Sequence, residues 1–222
     1  WQSEYNIAAF GVAHHPKSAA TQSLMSNAAY TAKEYNLAED SIKKARRLNP
    51  NESAYSINSL VLSSLLGRAV NTALELEIRT KLRNNSFTPS TQTALAHISI
   101  NLNNKGFIVL KPYYIEWLRI ILDKLGPTQQ ASIFHYFLAK AHLATGSTLH
   151  AINSHQQAFN LDNRFINPLF EMANIFLSLK QTGNANIVLE QIVEANKNPE
   201  LGRNYDKHIA ELREAITNQQ QS

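Results

Sequence analysis

The stretch from Tyr35 to Asn51 constrains the chain most. Tyr35, Ala38, Ile42, Ala45 and Leu48 recur at spacings of three and four, the period of one helix face. Pro50 then stops the helix, because proline has no amide to donate and its ring clashes with the preceding turn. The face mixes small residues with large ones. Helices packed within about 8–10 Å of each other need small side chains where they cross. Ala38 and Ala45 therefore predict a helix packed closely against a partner, and the hard stop predicts a hairpin unit.

A second copy of the pattern follows at Ala139, Gly146, Ala151, Ala158 and Leu161. Ala38 and Ala151 stand 113 residues apart, which is three repeats of 34 plus about 11 extra residues. The extra residues are placed in irregular loops around 84–90 and 104–112. Helical periodicity runs almost end to end, and strand-like alternation is absent. Residues 1–16 hold a first helix, over roughly 2–14, that stops at His15-Pro16. Ser18 then offers a capping oxygen to the next helix. Helix pairs are expected over 19–50, 53–83, 90–126, 128–163 and 165–199. Gly67, Gly106, Gly146 and Gly183 mark their turns, and Thr88-Pro89-Ser90 opens the third pair. A last helix over 203–217 and a frayed polar tail over 218–222 close the chain. Ala38, Ala45, Ala139, Ala151, Ala158 and Ala173 supply the crossings. Tyr30, Ile42, Phe134, Leu138, Phe159, Met172, Phe176 and Ile192 fill the layers between.

The small-residue pattern resembles the second helix of a tetratricopeptide (TPR) repeat. The motif covers 19–50 and 132–163 clearly and 166–199 weakly. Over 51–126 the consensus small positions are replaced, for instance by Leu60 and Arg79. The resemblance implies an all-α fold, a single right-handed TPR-like solenoid of about five pairs over 1–222. It also implies a non-catalytic role in holding a protein or peptide. In such arrays the first helix of each pair lines a concave groove. By helical phase the groove candidates are Asn27 and Tyr30, then Tyr136, Lys140 and Leu143, then Phe170, Asn174 and Leu177. Amides and lysine grip a peptide's backbone or carboxylate, and aromatics pack its side chains. The alternative is that the aromatics and leucines are core between layers. Asn27, Lys140 and Asn174 stand apart, since cores seldom accept them.

Trp1-Gln-Ser-Glu4, followed by His14-His15-Pro16-Lys17-Ser18-Ala19, is similar to a juncture in certain bacterial multi-pass membrane proteins. There it follows the last membrane helix and leads into a soluble TPR tail. Protein O-oligosaccharyltransferases, O-antigen ligase-like proteins and TPR-bearing mannosyltransferase-type enzymes have such tails. This implies a fragment of a longer protein, in the periplasm or another extracytoplasmic space, tethered to the inner membrane beside a glycan-handling catalytic part. No catalytic residue of that family falls in the tail. Two other settings stay open: a free TPR adaptor in pilus, secretion or envelope assembly, and a glycan-binding accessory domain. The last would use Tyr113, Tyr114 and Trp117 near Asn103 and Asn104, residues that also read as a cap on the irregular third pair.

Composition narrows the remaining chemistry. The 222 residues are 44% hydrophobic, enough for a sizeable core, and carry a formal net charge of +4. That is far from the basic stripe of a nucleic-acid binder, so no nucleic-acid partner is expected. With no cysteine, disulfides and Cys-ligated zinc are excluded. No run of about 18 apolar residues exists. Lys43, Lys44, Arg46 and Arg47 form one basic cluster. Cations in a last helical turn complement the helix dipole. The other use is contact with anionic headgroups or a polyanion, which gains weight if the domain hangs at a membrane surface. His135 and His142, seven apart, share a helix face, and His150 and His155 lie five apart on the next helix, but the usual zinc-ligand set is lacking, so no metal or cofactor is expected. No nucleophile elbow, phosphate loop or zinc-protease motif accompanies the scattered carboxylates, so no catalytic residue is assigned.

Overall fold

The computed structural model describes residues 3–201 and 204–221, and within them all regular structure is helical. Trp1 and Gln2 of the juncture motif, the expected start of the last helix at 203, and Ser222 of the tail lie outside the described residues. The chain divides into two compact units, residues 1–120 and 121–222. The first holds α1 (Glu4–His14), α2 (Ala19–Thr31), α3 (Tyr35–Leu48), α4 (Ser53–Leu65), α5 (Thr72–Asn84) and α6 (Pro89–Asn101). A 3-10 turn over Ile108–Leu110 leads into α7 (Lys111–Leu125), which runs across the boundary. The second holds α8 (Ser132–Ala144), α9 (Thr148–Leu161), α10 (Asn167–Ser178), α11 (Thr182–Asn196) and α12 (Asp206–Gln221).

Three hairpins, α2–α3, α8–α9 and α10–α11, pack closely along their lengths. All six expected crossing alanines have no exposed surface. Two hairpins share a further tie. Ser26 Oγ donates to the Ala38 carbonyl at 2.8 Å, and Ser132 Oγ donates to the Ala158 carbonyl at 2.6 Å. A buried serine hydroxyl at a close crossing is thus satisfied by a carbonyl of the facing helix.

The turns carry the repeat most plainly. Lys33 (φ 64°), Gly67 (φ 73°), Gly146 (φ 77°) and Lys180 (φ 57°) are all left-handed, so Lys33–Gly67 and Gly146–Lys180 are each spaced by 34 residues. Each turn has the same two backbone bonds. Glu34 N donates to Ala29 O and Lys33 N to Tyr30 O. Arg68 N donates to Ser63 O, Ser147 N to His142 O, and Gln181 N to Phe176 O. This is the Schellman closure, which satisfies carbonyls left over at a helix end and calls for a left-handed residue. The expected hinge at Gly183 is corrected here. Gly183 lies inside α11, and Lys180 makes the turn in its place.

The middle of the chain departs from the hairpin plan. α4 meets α5 over fewer positions than the tight hairpins do, and also packs on α6. α5 begins at Thr72 rather than at 69, because Asn71 Oδ1 accepts from Leu74 N at 3.0 Å. Thr88 and Pro89 start α6 as expected, with Thr88 Oγ1 accepting from Thr91 N at 3.1 Å. Gly106 sits against Leu65. A Cβ there would lie 2.7 Å from a Leu65 methyl and 3.1 Å from the Leu65 Cα, so any larger residue would force Leu65 to shift. Ser64 Oγ donates to the Gly106 carbonyl beside it.

Trp117 and Tyr114 have no exposed surface, and this corrects the glycan-platform expectation. Trp117 Nε1 donates to Glu75 Oε1 at 3.1 Å, and Tyr114 Oη donates to the Leu95 carbonyl at 2.8 Å. They join α7 to α5 and α6 and offer no surface to a sugar.

The second unit differs from expectation at several helix ends. α8 starts at Ser132 instead of 128, after a 3-10 turn over Gln129–Ala131, and α10 starts at Asn167 instead of 165. α12 does not fray after 217 but runs to Gln221. Ile209, Leu212 and Ile216 bury its inner face against the cluster of Leu169, Met172, Leu189 and Ile192. Gln219 Nε2 donates to the Leu177 carbonyl at 2.9 Å.

Candidate functional site

The groove candidates fall in both units and meet different fates. In the first unit Asn27 is exposed, with its carbonyl accepting from Thr31 Oγ1 at 3.1 Å. Tyr30 is half-buried beside Tyr35, ring centroids 5.8 Å apart. In the second unit Phe170 stacks on Tyr205 at 5.7 Å and meets His208 edge-on. Phe170 and Leu177 are therefore packed under the segment that carries α12, as the core alternative holds. Asn174, one turn beyond Phe170, remains exposed.

Tyr136 and Lys140 build the most developed polar cluster. They lie one turn apart on α8, so their side chains leave the same face. Glu171 reaches them from α10. Lys140 Nζ stands 3.3 Å from Glu171 Oε1, and Tyr136 Oη donates to the same oxygen at 3.2 Å. Lys140 also sits over the Tyr136 ring, 5.3 Å from its centroid, a cation–π geometry. Phe165 and His155 pack beside that ring, with centroids at 5.1 and 5.6 Å. Glu171 and Asn174, three residues apart on α10, share one helix face.

The electrostatics keep this cluster charged at its rim and neutral at its floor. Burial works against the Lys140 charge, but Glu171 and Tyr136 more than restore it, so Lys140 titrates above the ordinary lysine value. Burial, helped by the Glu171 charge, holds the Tyr136 phenol above its usual value. His155, from α9, has no exposed surface. Neither of its ring nitrogens has a hydrogen-bond partner among the described residues. Burial pushes its pKa down to about 4, against the opposing pull of Glu171 and with Lys140 adding to the fall. The imidazole is neutral at pH 7 and forms a polar floor beneath Tyr136.

Sequence reasoning selected Tyr136, Lys140 and Asn174 but passed over Glu171, Phe165 and His155. The signal for Glu171 was its i,i+3 spacing to Asn174. His155 was weighed only as a metal ligand. His142 and His150 lie with ring centroids 5.2 Å apart across α8 and α9, tilted by 36°. Among the described residues no three His, Asp or Glu side chains converge to hold a metal ion. No described helix is long and apolar enough to cross a membrane.

The basic cluster of α3 forms a second, separate feature in the first unit. Lys43, Arg46, Arg47 and Pro50 line a solvent-open cavity of about 750 Å³ together with Glu77 and Lys81 of α5. Lys44 is exposed and lies outside it.

No protein-family model matches the chain, and no curated protein matches it. Solved structures do. Yeast Tom70, a tetratricopeptide-repeat protein, superposes with a TM-score of 0.62 at 16% identity over 98% of this chain. The chain spans 43% of the Tom70 chain. The TPR2AB domain of yeast Sti1, solved in a pHSP90 complex, gives a TM-score of 0.45 at 13% identity, over 96% of this chain and 90% of that one. MamA from Desulfovibrio magneticus RS-1 gives 0.44 at 15% identity, over 81% and 95%. The Tom70 likeness establishes an all-helical, TPR-like solenoid fold, and the two looser overlaps add nothing to it.

Proposed function

We propose that this chain is a non-catalytic scaffold that binds an extended protein segment across α8 and α10. The observation that carries it is the half-buried Tyr136–Lys140–Glu171 bridge, set on the first helices of two neighbouring pairs. Charged groups held out of bulk water make stronger hydrogen bonds than surface ones. An incoming peptide carboxylate or carbonyl competes with Glu171 for Lys140. The exposed Asn174 amide pairs with peptide backbone one turn away. Tyr136 presents an aromatic wall that the rings beside it already hold in place.

The test is selection of a random peptide library on the full chain and on Lys140→Ala. Selected peptides should lose affinity for Lys140→Ala by about 1.5–3 kcal/mol, the cost of a charge-assisted hydrogen bond. The helical circular dichroism signal should not change. Equal enrichment on both proteins counts against the site.

For setting, we propose the extracytoplasmic tail of a membrane protein that handles glycans. Its support is the resemblance at the N-terminus, around His14–Ala19. The scaffold would there recruit an acceptor protein or order subunits beside the catalytic part. A periplasm-specific reporter fused after Gln221 in the full-length protein tests this, and activity confined to a cytoplasmic reporter overturns it.

A further inference from the structure

The cavity between α3 and α5 is separate from the peptide site and lies on the second helices of two pairs, not the first. Four cations line it, Lys43, Arg46, Arg47 and Lys81, against one carboxylate, Glu77. Helix-dipole complementarity accounts for cations in the last turn of α3. Lys81 stands in the last turn of α5, so two helix ends bring their cations to one cavity.

Glu77 organises the floor. It accepts from Arg46 Nη2 at 2.7 Å and from Ser56 Oγ at 2.7 Å, and stands 2.6 Å from Lys81 Nζ. Lys81 also donates to Ser56 Oγ at 2.8 Å. Burial pushes the Glu77 carboxyl up, but these donors and charges more than reverse it and hold it below the usual range. Arg46 and Lys81 are thereby fixed in place before any ligand arrives, which lowers the ordering cost of binding. One donor is left over: Arg46 Nε is buried and meets no acceptor among the described residues. Lys43 and Arg47 are exposed at the rim. Among the described residues Lys43 makes only loose contacts, with Glu39 and Asp40 at 3.5 and 4.0 Å.

We infer that this cavity binds a compact, multiply charged phosphate compound such as a pyrophosphate or polyphosphate ester. Guanidinium forks and ammonium groups together suit clustered phosphate oxygens. Four cations against one carboxylate exceed what a single carboxylate ligand needs. Among the described residues, five of the six that line the cavity are charged. Its volume of about 750 Å³ lies within the range of small-molecule sites.

Inorganic pyrophosphate titrated into the full chain by calorimetry tests this. Saturable one-to-one binding is expected. The double variant Lys43→Gln/Arg47→Gln should weaken it by at least about tenfold, while Lys44→Gln changes it less than about twofold. Both altered rim positions are exposed, so the fold should hold, as circular dichroism would show. Absence of saturation overturns the inference. So does an equal loss with Lys44→Gln, which would mean diffuse surface charge. In a parallel arm, phosphatidylglycerol vesicles are floated with the protein. Flotation that excess pyrophosphate does not displace would assign the patch to a lipid surface and also overturn it.

Discussion

Ala45 has no exposed surface and lies in the cluster that packs α2 against α3. Ala45→Leu inserts three carbons into a crossing that has no room for them. It should destabilise the protein by about 1–3 kcal/mol in a denaturant titration. His155 gives a pH prediction. Its folded pKa of about 4 lies below the ordinary 6.5, so the unfolded chain binds more protons between these values. Its contribution is therefore complete above about pH 6.5 and is lost as pH falls toward 4, by about 3 kcal/mol in all. Glu171, Lys140 and the Tyr136 ring are the groups that face the imidazole. His155→Leu should flatten the fall in urea midpoint between pH 7 and 4.5, and an unchanged slope would disprove the assignment. The sequence showed His155 as a helical histidine but could not show its burial, because that depends on Tyr136 of the facing helix.

At the scale of elements, the left-handed turns set the hairpins. A non-glycine residue in that conformation costs about 1 kcal/mol or slightly more. Lys180→Gly should therefore raise stability by roughly 0.5–1 kcal/mol, and Gly146→Ala should lower it by about 1 kcal/mol. Thermal melts of the two variants should move in opposite directions. Helix positions were largely legible, because Ala38, Ala45, Ala151 and Ala158 keep the helical period and Pro50 and Gly146 punctuate it. The turn at Lys180 was not, since lysine gives no turn signal and Gly183 nearby gives a false one. The fate of α12 was also hidden. Its polar C-terminal residues read as a fraying tail, yet Ile216 packs on the preceding pairs and Gln219 bonds to Leu177. Burial of Trp117 was equally invisible, since its hydrogen-bond partner Glu75 lies 42 residues away in the sequence.

Along the whole molecule, the backbone repeats more faithfully than the sequence does. Gly67 and Gly146 are separated by two periods of 34 plus eleven residues, the same excess found between Ala38 and Ala151. The excess falls where Gly106 and the 3-10 turn replace a hairpin. The scaffold follows from small residues and turns, while recognition rests on the few polar side chains that the scaffold leaves at α8 and α10. Photo-crosslinking of library-selected peptides tests that division most directly, with benzoylphenylalanine placed at Asn174 on α10 or at Asn160 on α9. Both positions are exposed. Crosslinks at 174 that a free copy of the peptide competes away, with none at 160, are the predicted result. Crosslinks at 160 alone would contradict it.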